Sequence, residues 1–88
     1  MATQWTHTRE ALRQFPSGSA AKYITQLVFK GPQLLAHARI LLQEYSLEDD
    51  RFKIHMIHYL RQTFPGDLEL LYEALLQDIM AGKPQLPS

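Results

Sequence analysis

The sequence predicts an all-α fold, a small bundle of four to five short helices centred on a C-terminal helical hairpin. Apolar residues recur at spacings of three and four along most of the chain, which places them on one face of successive helices. No segment shows the alternation of apolar and polar residues that a half-buried strand requires. With 88 residues the chain makes one domain with a thin core, so we expect it to gain stability by forming a dimer.

The C-terminal half predicts two helices back to back, separated by Pro65–Gly66. We expect Ser46 to cap the first of them. Because the residue before a proline is driven out of the α region, that helix should end at Phe64. Asp67 is a good N-cap residue, so the second helix is predicted over residues 68–81.

The segment before the hairpin predicts two further helices. Gly31 suits the end of a helix and Pro32 suits the first turn of the next, which predicts helices over residues 20–30 and 32–45. One kinked helix over residues 20–45 is the alternative that the sequence leaves open. The apolar stripe of the first of these helices comprises Ala20, Tyr23, Ile24, Leu27 and Val28.

The helical core is predicted over residues 19–82, and the segment before it could pack on this core, fray or serve as a binding arm. Residues 1–18 are predicted to form a polar arm with a short helix that Thr8 caps, and residues 83–88 to form a loose tail. Together these segments make a single helical domain.

The last predicted helix is apolar over more of its circumference than one packing face needs. A helix of this kind is buried on more than one side, and in so short a chain we expect the second side to meet another copy. Trp5 lies in the polar arm and is expected to be an exposed anchor for a partner. The residues predicted to form the interface are Leu70, Leu71, Ala74, Leu76, Met80 and Trp5.

Charge is unevenly distributed along a chain whose net charge is zero. Residues 1–45 carry five basic and two acidic side chains, whereas residues 46–88 carry four basic and seven acidic ones. Nucleic-acid binders usually have a clear basic excess, so a nucleic-acid partner is not expected. The longest apolar runs are three residues and the N-terminus has no secretory pattern, so we expect a cytoplasmic protein without a membrane span.

The histidines are the first candidates for chemistry. His55 and His58 are three residues apart and His37 lies on another helix, so a metal would need a carboxylate such as Glu44 or Asp78 to complete its ligands. No His-Glu-x-x-His pattern is present, and histidines on polar helix faces are the better interpretation. A pH-sensing role for these histidines stays open.

The carboxylates and serines give no sign of an enzyme. Glu69, Glu73 and Asp78 share the last helix and are expected to form a solvated acidic face, because a general acid–base pair needs a cleft that splits their pKa values. Ser17 and Ser19 lack the context of a nucleophile elbow. We therefore predict no catalytic residue, no cofactor and no metal.

Three segments carry a resemblance to known proteins: the small-residue start at 19–24, the leucine-rich helix end at 56–61 and the final apolar helix at 72–80. Together with the order of helices from residue 20 to residue 80, these segments resemble a family of short enterobacterial regulators, the biofilm-development and two-component-connector proteins. The resemblance implies an all-α homodimer that binds regulatory proteins and feeds stress signals into biofilm, acid-resistance or envelope control. A direct role in DNA binding has also been considered for the family, so the resemblance makes DNA a second possible partner.

Three functions follow as hypotheses. The first is a homodimeric interaction module that modulates a regulatory protein. The second is a nucleic-acid-associated modulator, and the third is a helical chaperone or assembly factor that holds a client helix. The basic residues that would serve the second hypothesis are Arg9, Arg13, Lys22, Lys30 and Arg39.

Overall fold

A computed structural model describes residues 5–16, 18–66 and 68–82. Within these residues the chain forms four helices and no strand, which confirms the predicted all-α class. The helices are α1 (Thr6–Leu12), α2 (Ser19–Leu41), α3 (Asp50–Thr63) and α4 (Glu69–Gly82). The predicted tail over residues 83–88 and the predicted cap at Asp67 lie outside the described residues.

The segment predicted as two helices is one helix, α2, so the proposed break at Gly31 was wrong. The alternative of a single helix is correct in this respect, but the helix ends at Leu41 and not at Tyr45. Pro32 lies inside α2 and has no N–H, which removes one hydrogen bond from the helix. Gly31 is buried, and a Cβ at this position would lie 3.2 Å from Cζ2 of Trp5. The glycine therefore allows an aromatic ring to approach the helix; it does not end the helix.

The α3–α4 hairpin forms largely as predicted, with one change of cap. Phe64 terminates α3 as expected. The N-cap of α3 is Asp49, not Ser46: an Asp49 side-chain oxygen accepts a hydrogen bond from the backbone N–H of Arg51 at 2.9 Å. The Arg51 guanidinium also donates to this carboxylate, and these bonds hold the pKa of Asp49 below its usual value.

The short N-terminal helix starts earlier than predicted. Thr8 lies inside α1 and is buried, so it does not cap the helix. Its hydroxyl donates a hydrogen bond to the carboxylate of Asp78 in α4.

The four helices pack in a closed order around one core. α4 packs on α1 and α3, and α2 packs on α3 and α1. Most of the buried cluster comes from the α3–α4 hairpin, in agreement with its predicted central place. The residues of this cluster are Leu12, Leu27, Leu34, Ala38, Phe52, Met56, Leu60, Phe64, Leu71, Tyr72, Leu75 and Ile79.

The turn between α3 and α4 is fixed by Tyr72, the largest fully buried side chain. Its hydroxyl donates to the backbone carbonyl of Phe64 and lies 3.0 Å from that of Gly66. Gly66 has φ +135°, a conformation that residues with a Cβ rarely adopt. A buried hydroxyl and a glycine together shape the hairpin turn.

Candidate interaction surfaces

Helix α1 is held on α4 by one buried carboxylate, that of Asp78. Its Oδ1 accepts a hydrogen bond from the backbone N–H of His7 at 2.9 Å and lies 2.8 Å from Nδ1 of the same residue. Its Oδ2 accepts hydrogen bonds from the backbone N–H and the hydroxyl of Thr8 at 2.8 and 2.7 Å. α1 has no side-chain cap of its own. A residue of α4 therefore satisfies N–H groups that the first turn of any helix leaves unpaired.

These hydrogen bonds favour the charged form of Asp78. Burial raises the pKa of the carboxyl, but the bonds from Thr8 and His7 outweigh burial, and the pKa lies below its usual value. The expectation that Asp78 belongs to a solvated acidic face was wrong. Its position carried a signal, because it lies seven residues after Leu71 and three after Leu75, on the buried side of α4.

α1 covers a side of α4 that was expected to meet a second copy. Leu71 and Ala74 are buried within the single chain, as are Ala11 and Leu12 of α1, and α1 packs on α4. The wide apolar arc of α4 is thus explained by a helix of the same chain. Leu71 and Ala74 are corrected from interface residues to residues of the interior.

The other predicted interface residues of α4 do not share one side. Leu70 is 44% exposed and lines an open pocket beside α1. Leu76 and Met80 are half-buried against the core. Because an α-helix turns by about 100° per residue, Leu70 and Leu76 lie about 120° apart around α4. These three residues therefore belong to two separate edges of the helix.

Trp5 is half-buried, whereas an exposed anchor was expected. Its ring packs on Gly31 in the middle of α2. Together with Arg9, Ile24 and Val28 it lines a shallow pocket between α1 and α2. Trp5 thus fastens the start of α1 to α2 within the chain.

Most of the exposed large apolar side chains among the described residues lie on α2. Phe29, Val28 and Ile40 expose 76%, 72% and 60% of their surface. Apolar side chains of this size are usually buried, and a run of exposed ones marks an interaction site more often than chance. We call this side the outward face of α2, and its exposed residues are Lys22, Thr25, Val28, Phe29, Pro32, Gln33, Ala36, Arg39 and Ile40.

The apolar pattern of the sequence did not predict this face, for an identifiable reason. Val28 was assigned to the apolar stripe, but the buried apolar side chains of α2 are those of Leu27, Leu34 and Ala38. Phe29 and Ile40 belonged to no predicted stripe. Large apolar residues left outside the packing stripe of a long helix were the available signal.

The outward face of α2 has no negative charge. No carboxylate occurs between Glu10 and Glu44, so all of α2 is free of acidic residues. Lys22 and Arg39 are exposed near the two ends of the face. In the described part of the chain, neither of these two cations forms an ion pair.

Two other basic residues of the first half, Lys30 and Arg13, do not join this face. Lys30 is half-buried, and its Nζ donates a hydrogen bond to the backbone carbonyl of Thr63 at 3.0 Å. Arg13 lies just after α1 and pairs with Glu10 at 3.3 Å. The five basic residues considered for nucleic-acid binding are therefore divided between different parts of the surface.

Two histidines, His37 of α2 and His55 of α3, stack on tyrosines. The rings of His37 and Tyr59 stack with centroids 3.8 Å apart, and those of Tyr45 and His55 with centroids 5.4 Å apart. Burial, and to a smaller degree the charge of His55, lower the pKa of His37. Among the residues that the structure describes, no three His, Asp or Glu side chains are grouped so that they could hold a metal ion.

On α3, Ile54 is the large apolar side chain that is exposed. Ile54 lines an open depression with Ile57 and His58. Arg61 at its edge is bound to Glu69 of α4 at 2.9 Å. Because Ile54 is a large exposed apolar residue outside α2, a substitution at Ile54 serves as a control for substitutions in the outward face of α2.

Comparison with known proteins gives no family assignment: protein-family models, curated proteins and solved structures yield no match to the chain. Among the described helices, none has the length and apolar character needed to span a membrane.

Proposed function

We propose that the protein is a small non-enzymatic regulatory protein that acts by binding another protein. The observation that supports this most is the outward face of α2, where Val28, Phe29 and Ile40 are largely exposed. Burying one apolar side chain of this size is worth roughly 1.5–3 kcal/mol. A partner that covers all three would gain enough free energy to offset part of the entropy lost on association.

The regulatory part of the proposal comes from the resemblance of residues 20–80 to the enterobacterial biofilm-development and two-component-connector regulators. That resemblance implies partners in stress or biofilm signalling. We propose a regulatory partner of this class in the cytoplasm. The assembly-factor hypothesis uses the same surface and differs from the first in the identity of the partner.

The homodimer predicted from the sequence stays part of this proposal, with a narrower surface. Leu71 and Ala74 are occupied within the chain, so self-association through α4 would use Leu76 and Met80. Light scattering over a concentration series measures the molar mass. We expect twice the chain mass for the wild type and the chain mass for Leu76→Glu; a wild-type monomer would contradict the dimer.

The partner-binding proposal is tested by comparing two variants in cells that contain the protein. Phe29→Lys/Ile40→Lys, called the face variant, adds charge to the outward face of α2, and Ile54→Lys adds charge to the exposed residue of α3. Quantitative cross-linking identifies the proteins bound by each. We expect one stoichiometric partner that binds the wild type and Ile54→Lys and is lost from the face variant.

Equal recovery of every protein by the wild type and the face variant would contradict the proposal. A partner from a signalling system would support a regulatory role, whereas a subunit of a larger complex would favour the assembly factor. Circular dichroism verifies that both variants stay folded, as expected because the substituted side chains are exposed.

A further inference from the structure

We propose that the outward face of α2 docks an acidic amphipathic helix of the partner protein. The partner's apolar side chains would cover Phe29 and Ile40, and its carboxylates would meet Lys22 and Arg39. This inference rests on the proposed function and adds the chemistry of the partner.

The shape of the face suits a helix. α2 has 23 residues and is therefore about 34 Å long. Lys22, Phe29 and Ala36 are seven residues apart, as are Gln33 and Ile40. Residues at this spacing form a narrow continuous stripe along a helix, the arrangement that packs against a second helix.

A small side chain between two large ones leaves a space that a side chain of the partner can fill. Ala36 lies between Phe29 and Ile40 on the same side and is itself exposed. Its methyl group leaves room between two large apolar side chains. A leucine or phenylalanine from a neighbouring helix fits such a space in the manner of ridges that pack into grooves.

The charge of the face selects an acidic partner. Lys22 and Arg39 are 17 residues apart, which places them about 25 Å apart along the helix axis. Two copies of α2 packed face to face would bring together cations with no carboxylate on either side. Like charges across an interface disfavour association. The helix that binds this face should therefore be acidic, and it should not be α2 of a second copy.

The test is a selection from a peptide library in which the charge of the peptides is not fixed in advance. A displayed library of helical peptides with randomised surface positions is panned on the full chain, with depletion on the face variant. We expect the enriched peptides to be net negative and to carry apolar residues at spacings of three and four. Their affinity for the face variant should be at least about tenfold weaker than for the wild type.

A second pair of variants tests charge alone. Lys22→Glu/Arg39→Glu keeps every apolar residue of the face and reverses its two cations. The acidic peptides should bind this variant about tenfold more weakly, while Arg13→Glu, which reverses a cation beside α1, should bind them as the wild type does. Equal binding to all three proteins would overturn the acidic preference.

The outcomes separate this inference from the proposed function. Enriched peptides that are neutral or basic but still need Phe29 and Ile40 would overturn the acidic partner and leave protein binding intact. A wild-type dimer that becomes monomeric in the face variant would show that the outward face of α2 binds a second copy of the chain. Face-dependent binding to duplex DNA or to phosphatidylglycerol vesicles, tighter than to any peptide, would replace the protein partner.

Discussion

Asp78 acts at the scale of a single residue, because its carboxylate accepts the N–H groups of His7 and Thr8 at the start of α1. Asp78→Ala would leave these two N–H groups and the buried Thr8 hydroxyl without this acceptor. We expect the free energy of unfolding to fall by about 2–4 kcal/mol, since hydrogen bonds to charged groups contribute about 1.5–3 kcal/mol each and are not additive. Urea denaturation measures the loss.

The matched control is Glu73→Ala, which removes an exposed carboxylate from the same helix. We expect it to change stability by less than about 0.5 kcal/mol. Equal losses for the two variants would show that Asp78 contributes only its charge to α4.

His37 gives a pH dependence at the same scale. Its pKa is lowered by burial and by His55, so the unfolded chain binds a proton at higher pH than the folded chain does. Stability should therefore fall as pH drops through 6.5, the ordinary pKa of histidine, towards the lower pKa of the folded state. Urea midpoints at pH 7.5 and 5.5 measure this difference. His37→Gln should reduce this difference, and a difference of the same size in His37→Gln would contradict the role of His37.

At the scale of the element, α2 runs through Gly31 without a break, and this glycine accommodates the Trp5 ring. Gly31→Ala would normally stabilise a helix by up to about 1 kcal/mol. Here the added Cβ would lie 3.2 Å from the Trp5 ring, so we expect no gain. In a Trp5→Leu background the same substitution should stabilise the protein.

A double-mutant cycle measures the coupling between these residues, which we expect to be at least about 0.5 kcal/mol. Additive effects would show that the ring moves aside at no cost. The result bears on α2 as a whole, because a helix that holds an internal proline depends on packing to stay continuous.

Local signals predicted the elements that depend on neighbours in sequence. Pro65 and the polar residues around it set the α3–α4 hairpin, and the three- and four-residue spacing set its buried side. The role of Gly31 could not be predicted in this way, because the glycine accommodates the ring of Trp5, which lies 26 residues earlier in the chain. The place of α1 depends on Asp78, 70 residues after Thr8.

The candidate site was only partly accessible to sequence reasoning. The predicted interface on α4 failed at Leu71 and Ala74 because the apolar arc alone cannot tell a helix of the same chain from a second copy. The outward face of α2 could have been found, since Phe29 and Ile40 fit no buried stripe. The local charge pattern was also available, because α2 lacks carboxylates.

At the scale of the whole molecule, α1 closes the bundle by filling the gap between α4 and α2. A chain of this size has little core to spare, so the helix that closes it also keeps apolar surface away from other molecules. Releasing α1 would uncover the side of α4 that holds Leu71 and Ala74.

Asp78→Ala should therefore change association as well as stability. With the Asp78 bonds removed, α1 should open more often and expose apolar surface of α4, which favours contact with a second copy. We expect the molar mass of Asp78→Ala to rise with concentration above that of the wild type, and backbone amides of α1 to exchange faster with solvent. Glu73→Ala should match the wild type in both measurements. Fast exchange in α1 with an unchanged molar mass would show that the uncovered side of α4 does not drive self-association.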